Sequence, residues 1–327
     1  MPTPQEKTRP TEGDDDTAEI HPSMRASIAV ATILTGFHRV LNAKEEGVIA
    51  NRDPEFLHDF RVTLRTSRSV LTETQGVFPK RCFRRFRSYL AWLARISSAP
   101  RDLDVFLLAL EDYRLRLSKA RWVHLSPLCD FLRGQQGNEH LRLAETLNSP
   151  HHLHLKHEYQ DFLSLRSTEG SRTVTGQRPV LEVANRSIWR TYRKVIHQGR
   201  AIVPDSPLDP MHALRKRSKK LRYLLQTFEP LYPHKKIRAI VDTLKRFQDQ
   251  LGIVVDLNVQ HQRLSTWRQA MEHNKLAPPE TLQAIQALDQ LLADGERKPR
   301  VCFAADFDAF DRRAVRKSFK KLFRPSS

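Results

Sequence analysis

His58, Arg61, Arg65 and Arg68 fall at i, i+3, i+7 and i+10, a spacing that on an α-helix gathers the four side chains within roughly 80° of arc. Arginine's planar fork gives phosphate oxygens paired hydrogen bonds and keeps its charge, and histidine adds a donor that titrates near neutrality. The chemistry such a stripe suits is the grip of an extended anion. The set returns at a constant offset of 154 residues as His212, Arg215, Lys219 and Arg222. The same gap-free offset pairs Arg39 with Arg193, Arg81 with Lys235, Arg84 with Arg238 and Asp102 with Asp256. A single offset over that length marks an internal repeat of two similar units.

Apolar residues border each stripe: Leu57, Phe60, Leu64 and Leu71 in the first copy, Met211, Leu214, Leu221, Leu225 and Phe228 in the second. Solvated charges on an amphipathic helix usually lie opposite the core and alternate in sign. Here they do not alternate. The chain of 327 residues carries 55 Lys+Arg against 37 Asp+Glu, a net +18. Residues 58–87 hold eight basic and two acidic side chains, and residues 212–246 hold eleven and two, so two windows carry +15 of that total. Like charges concentrated in this way repel one another, and a polyanion relieves the repulsion.

The elements that position these stripes read as helices throughout. Only 11 glycines occur, which disfavours a turn-rich sandwich or a glycine-built nucleotide fold, and apolar residues recur at three- and four-residue spacing. The spacing predicts helices over 23–47, 54–76, 80–98, 101–120, 122–134 and 137–147, and one beginning at Pro150 with Ser149 as its N-cap. Further helices are expected over 181–202, 208–230, 233–251, 254–273, 279–293 and 306–323. The expected class is all-α. Residues 1–21, rich in Pro, Thr and acid, read as a disordered tail; 22–166 and 181–325 read as the two helical units, with 167–180 as the linker.

Three widely spaced cysteines argue against a disulfide framework and suit a reducing cytoplasm. No secretory leader and no apolar run of spanning length is seen. No cofactor motif stands out. Three further clusters invite chemistry and have blander readings. His58–Asp59 has the form of a metal-binding pair, but its repeat partner is His212–Ala213, without the acid. Asp102 and Asp104, with Asp256 and Asn258 opposite, read as helix caps or arginine holders rather than as acid/base carboxylates. His151, His152, His154 and His157 read as a solvent-facing patch, and the basic amphipathic segment 312–323 as a helix closing the second unit.

The segments LHDFRVTLRTSRSVL and MHALRKRSKKLRYLLQTFEPLYP, with PRDLDV (100–105) and LGIVVDLNV (251–259), resemble the CHAD family, the conserved histidine α-helical domain. The resemblance spans roughly 24–325, and it departs from the pattern at Ser97–Ser98, where the second copy has Leu251–Gly252. It implies two four-helix bundles related by a pseudo-two-fold axis, with basic helices facing each other across a central groove or pore. It also implies non-catalytic binding of inorganic polyphosphate and association with polyphosphate granules. The residues carried over are His58, Arg61, Arg65, Arg68, Arg81, Arg84, His212, Arg215, Lys219, Arg222, Lys235 and Arg238; Arg39, Arg193 and Lys216 join them as further basic positions.

The physics is consistent with that implication. Polyphosphate has no bases, so its receptor needs dense cations and no aromatic platform. Phe60, Tyr223 and Phe228 sit at core-type spacings. A helical nucleic-acid-binding protein is the second reading, and a metal-dependent phosphohydrolase acting on phosphate chains the third.

Overall fold

The computed structural model describes residues 20–203 and 206–325. Most of the expected tail, residues 1–19, lies outside the described residues. Among the described residues the chain is all-α, and its one β-bridge joins Arg25 to Pro179.

The first half contains α1 (Ala26–Ile49), α2 (Pro54–Glu73), α3 (Lys80–Ile96), α4 (Ser98–Arg114), α5 (Lys119–Val123), α6 (Ser126–Leu147) and α7 (Pro150–Glu169). A short α8 (Val174–Gln177) leads to α9 (Val180–Arg200), α10 (Leu208–Thr227), α11 (His234–His273), α12 (Pro279–Phe310) and α13 (Arg313–Phe323). Helices α1, α2 and α3 begin 154 residues before α9, α10 and α11, and α2 and α10 also end at that offset. Asp53 starts α2 by accepting a hydrogen bond from the Glu55 amide, with Pro54 in the first turn. Ser149 caps α7 in the same way, through the His152 amide.

The halves differ at one place that the repeat brings out. The second copy runs through Leu251 and Gly252 as one 40-residue helix, where two helices were expected. The first copy breaks at Ser97, between α3 and α4. The cause is Pro100, which stands where the second copy has Val254. A proline has no amide to give the carbonyl four residues back, here that of Ile96, and its ring crowds that carbonyl. Two other expected gaps close: α6 is continuous over 134–137, and α12 continues past 293 to Phe310.

Helices α1, α2, α3 and α7 form one bundle. In the second half α9 packs on α10 and α13, and α10 on α11. The largest core draws on both halves, from Leu34, Phe60, Leu64 and Tyr159 to Leu221, Phe228, Phe247 and Phe319. A smaller core joins Phe106, Leu110, Leu128 and Leu132 of α4 and α6 to Leu264, Met271, Ile285 and Leu288 of α11 and α12. Burying each such side chain contributes about 1.5–3 kcal/mol. The segment 167–180 is stitched to its neighbours: Thr173 Oγ1 donates to Val77 O at 2.8 Å, and Ser27 Oγ to Gly176 O at 2.9 Å. A Cβ at Gly176 would meet Val77 O at 2.5 Å, so that approach requires glycine. No described helix is long and apolar enough to cross a membrane.

Candidate anion-binding stripe

Helices α2 and α10, which carry the two stripes, pack against each other. All eight stripe residues are half-buried, unlike the exposed Arg39, Arg81, Arg84, Arg193, Lys216, Lys235 and Arg238. Leu57, Phe60 and Leu64 on α2, and Met211, Leu214 and Leu221 on α10, are buried beside them and set the rotation of each helix.

At the centre stand Arg65 and Lys219, the same position in the two copies. Burial first, then Arg215 and Arg65, push the Lys219 ammonium down to about 7. Asp256 opposes this shift, and Arg222 adds to it. Two repeat-equivalent cations therefore act on each other where α2 packs on α10.

The flanking residues are held by dissimilar partners. Arg61 Nη1 donates to Ala94 O at 3.0 Å and to Ser97 Oγ at 2.8 Å, so its guanidinium occupies the break between α3 and α4. Burial, with Arg65 next, lowers its pKa to about 10. Arg215 instead reaches Asp256 Oδ2 at 2.7 Å. Gly252 lies beside it, where a Cβ would stand 3.5 Å from the Arg215 guanidinium. Arg68 is lowered by burial and by Arg87. Arg222 lies 5.9 Å from the centre of the Tyr223 ring, and its buried Nε has no hydrogen-bond partner among the described residues.

His58 Nδ1 accepts a hydrogen bond from Arg101 at 2.8 Å, and burial together with Arg101 lowers its pKa. His212 Nε2 stands 3.2 Å from Asn258 Oδ1. Glu55, His58 and Asp59 come within 4.8 Å of one another in a metal-like grouping. Two cations already use it, since Arg101 donates to His58 and Lys44 pairs with Asp59 at 2.8 Å. Asp102 pairs with Arg263 and Asp256 with Arg215, so both carboxylates hold arginines. Asp104 is buried against His140 at 3.3 Å.

Of the exposed positions, Arg84 lines a cleft between α3 and α7, Arg193 lines another between α9 and α13, and Arg238 sits 3.7 Å from Glu229. The stripe residues line neither cleft. Sequence reading missed Arg87, Arg101 and Arg263, which reach Arg68, His58 and Asp102. Their counterparts are Val241, Val255 and Ala109, so a search for basic residues in both copies passes over them. Within the histidine patch, His151, His154 and His157 are exposed as expected, whereas His152 is buried 3.3 Å from Glu45.

Comparison with known proteins places this architecture. The chain matches the crystal structure of the CHAD domain from the plant Ricinus communis with a TM-score of 0.70 at 22% identity, covering 97% of this chain and 99% of that one. It matches PptA from Streptomyces chartreusis with a TM-score of 0.67 at 14% identity, covering 87% and 100%. No curated protein matches it. The family model of the CHAD domain matches residues 32–265, which takes in both stripes, and the chain belongs to the CHAD domain family.

Proposed function

We propose that this protein binds inorganic polyphosphate along the paired stripes of α2 and α10, without catalysing its turnover. The observation that carries this reading is the electrostatic coupling of Arg65 with Lys219, flanked by Arg61, Arg68, Arg215 and Arg222; among the described residues Asp256 forms an ion pair with the stripe's arginines, and Asp102 acts on Arg61 from farther off. So many half-buried cations with so little counter-charge are at odds with a purely structural role, because buried charge is normally paired. A phosphate chain supplies the missing charge through charge-assisted hydrogen bonds. The carboxylates suited to metal-assisted hydrolysis serve as arginine partners, which favours binding over phosphohydrolase chemistry.

The test is a titration with polyphosphate at several salt concentrations, repeated with duplex DNA and RNA as competitors. Binding that weakens log-linearly with salt and resists nucleic-acid competition supports the reading. Displacement by duplex DNA favours a nucleic-acid-binding protein, and phosphate release with Mg²⁺ or Mn²⁺ favours the enzyme. A fluorescent fusion that co-localises with polyphosphate granules checks the cellular side of the proposal.

A further inference from the structure

Away from the stripe, α3 presents Arg84, Ser88, Trp92 and Arg95 at i, i+4, i+8 and i+11, one face of the helix. That face lines a cleft of about 750 Å³ shared with α7. Small residues, Ser88 and Ala91, lie between the arginines and the indole and leave room there. One wall is aromatic. Trp92 lies 27° from the plane of Tyr89 with ring centres 6.3 Å apart, and His151 meets Trp92 edge-on at 5.6 Å.

This wall is held from beneath. Tyr89 is buried, its ring 5.9 Å from that of the buried Tyr159. His152 approaches both Tyr89 and Trp92, at 6.1 and 6.0 Å, and is itself held near Glu45. The opposite character comes from Arg84, Arg85 and Arg95, all exposed. Arg85 is paired with Glu158. Arg84 and Arg95 have no acidic partner among the described residues, and they flank Trp92 from either end.

The repeat sets this cleft apart from the stripe. The counterparts of Arg84, Ser88, Trp92 and Arg95 are Arg238, Asp242, Arg246 and Asp249, and the run holding His151 has no equivalent in the second copy. The second copy therefore carries an ordinary face of alternating charge where the first has an aromatic wall between free arginines. A bare phosphate chain has no group for such a wall. A nucleotide has both parts: a flat base to stack and phosphates for arginine. A cleft of this volume is of the size that holds one small ligand.

We propose that the α3–α7 cleft binds nucleotides, with the base against Trp92 and the phosphates between Arg84 and Arg95. The ligand's source is either a free nucleoside triphosphate or a base exposed on a single strand, and the test separates them. Full-length protein is titrated calorimetrically with ATP, adenosine, inorganic tripolyphosphate and a short single-stranded oligo(A).

The cleft predicts that ATP binds at least about fivefold more tightly than tripolyphosphate or adenosine, the increment a stacked base supplies. W92L brings ATP down to the tripolyphosphate level. R84E with R95E, both on the surface, weakens ATP and oligo(A) while helicity is kept, and this pair carries the test if W92L misfolds. Oligo(A) binding more tightly than ATP identifies the strand as the source; equal affinity identifies the free nucleotide. Two results overturn the proposal: equal affinity for ATP and tripolyphosphate, or ATP binding untouched by R84E with R95E. Polyphosphate binding at the stripe is read separately with R65Q and K219Q, so loss of one site is not mistaken for loss of the other.

Discussion

Arg65 on α2 and Lys219 on α10 occupy the same position of the repeat and interact where the two helices meet. Both are cations, and among the described residues neither forms an ion pair with a carboxylate. Lys219, pushed down to about 7 by burial, Arg215 and Arg65, is the member that can shed its proton. The other groups acting on it are Arg222 on α10 and Asp256 on α11.

A bound polyanion raises the pKa of Lys219, so binding above pH 7 takes up a proton. Affinity for polyphosphate is expected to fall from pH 7.5 to 9.5, with a slope approaching tenfold per pH unit for one coupled proton. This window lies above the ordinary imidazole range. K219R, whose guanidinium stays charged, should bind with a flat profile. Calorimetry in buffers of different ionisation enthalpy reads the proton directly, and a pH-independent wild type contradicts the coupling.

The same pair sets a stability cost. In the unfolded chain Lys219 is protonated up to about pH 10.4, so between about pH 7 and that value the unfolded state holds the extra proton. Stability contributed here therefore rises with pH across that window. R65Q with K219Q removes the repulsion, and the ligand-free protein should gain roughly 0.5–2 kcal/mol in urea unfolding while polyphosphate affinity drops. A variant that loses both stability and binding speaks against stored repulsion.

Arg61 and Arg215 should separate under truncation. Arg61 satisfies Ala94 O and Ser97 Oγ at the helix break, so R61A is expected to cost about 1.5–3 kcal/mol, the range for hydrogen bonds from a charged group. Arg215 faces Asp256, whose side chain is 57% exposed, and R215A should cost under about 1 kcal/mol. Urea melts of the two single variants check the difference, and equal costs would place Arg61 on the surface in effect.

Acid stability should depend on α1 and α7. Burial, with Lys156 next, lowers His38 to about 4. The unfolded chain protonates this histidine near pH 6.5 while the native one does not. Stability is therefore present above about pH 6.5 and is lost as pH falls towards 4. Glu45 acts in the same direction at lower pH: burial alone would raise it, but hydrogen bonds from His152 and Lys156 hold it below its ordinary value. H38Q should flatten the thermal midpoint between pH 6.5 and 4.5.

Gly199 tests the seam between α9 and α12. A Cβ there would stand 1.9 Å from the Phe307 ring, so G199A is expected to destabilise by about 1–3 kcal/mol through overpacking. A neutral result in thermal unfolding would mean that Phe307 has room to turn aside.

Much of this molecule was legible in the sequence because the repeat is nearly rigid in number. The 154-residue offset that aligned His58 with His212 also aligns the first residues of α1, α2 and α3 with those of α9, α10 and α11. What the repeat concealed was its exceptions. Pro100 breaks a helix that Val254 lets pass, and the residues filling that break, Arg61 and Ser97, have unlike partners in the second copy. Arg87, Arg101 and Arg263 have apolar counterparts in the other copy, so the symmetry that marks the stripe passes over them. Trp92 was not singled out because the three-residue spacings around it also fit a core face, and only the packing of α7 on α3 leaves it beside a cleft.

The smaller core, in which Phe106 and Leu110 meet Leu264 and Leu288, bears on how a ligand is received. With the two halves fused there as well as in the main core, α2 and α10 cannot part like jaws. The stripe is a fixed ruler whose marks, from His58 to Arg68, span roughly 15 Å of helix. If the proposed binding holds, a flexible phosphate chain has to bend to those marks, and the ordering falls on the ligand rather than on the protein.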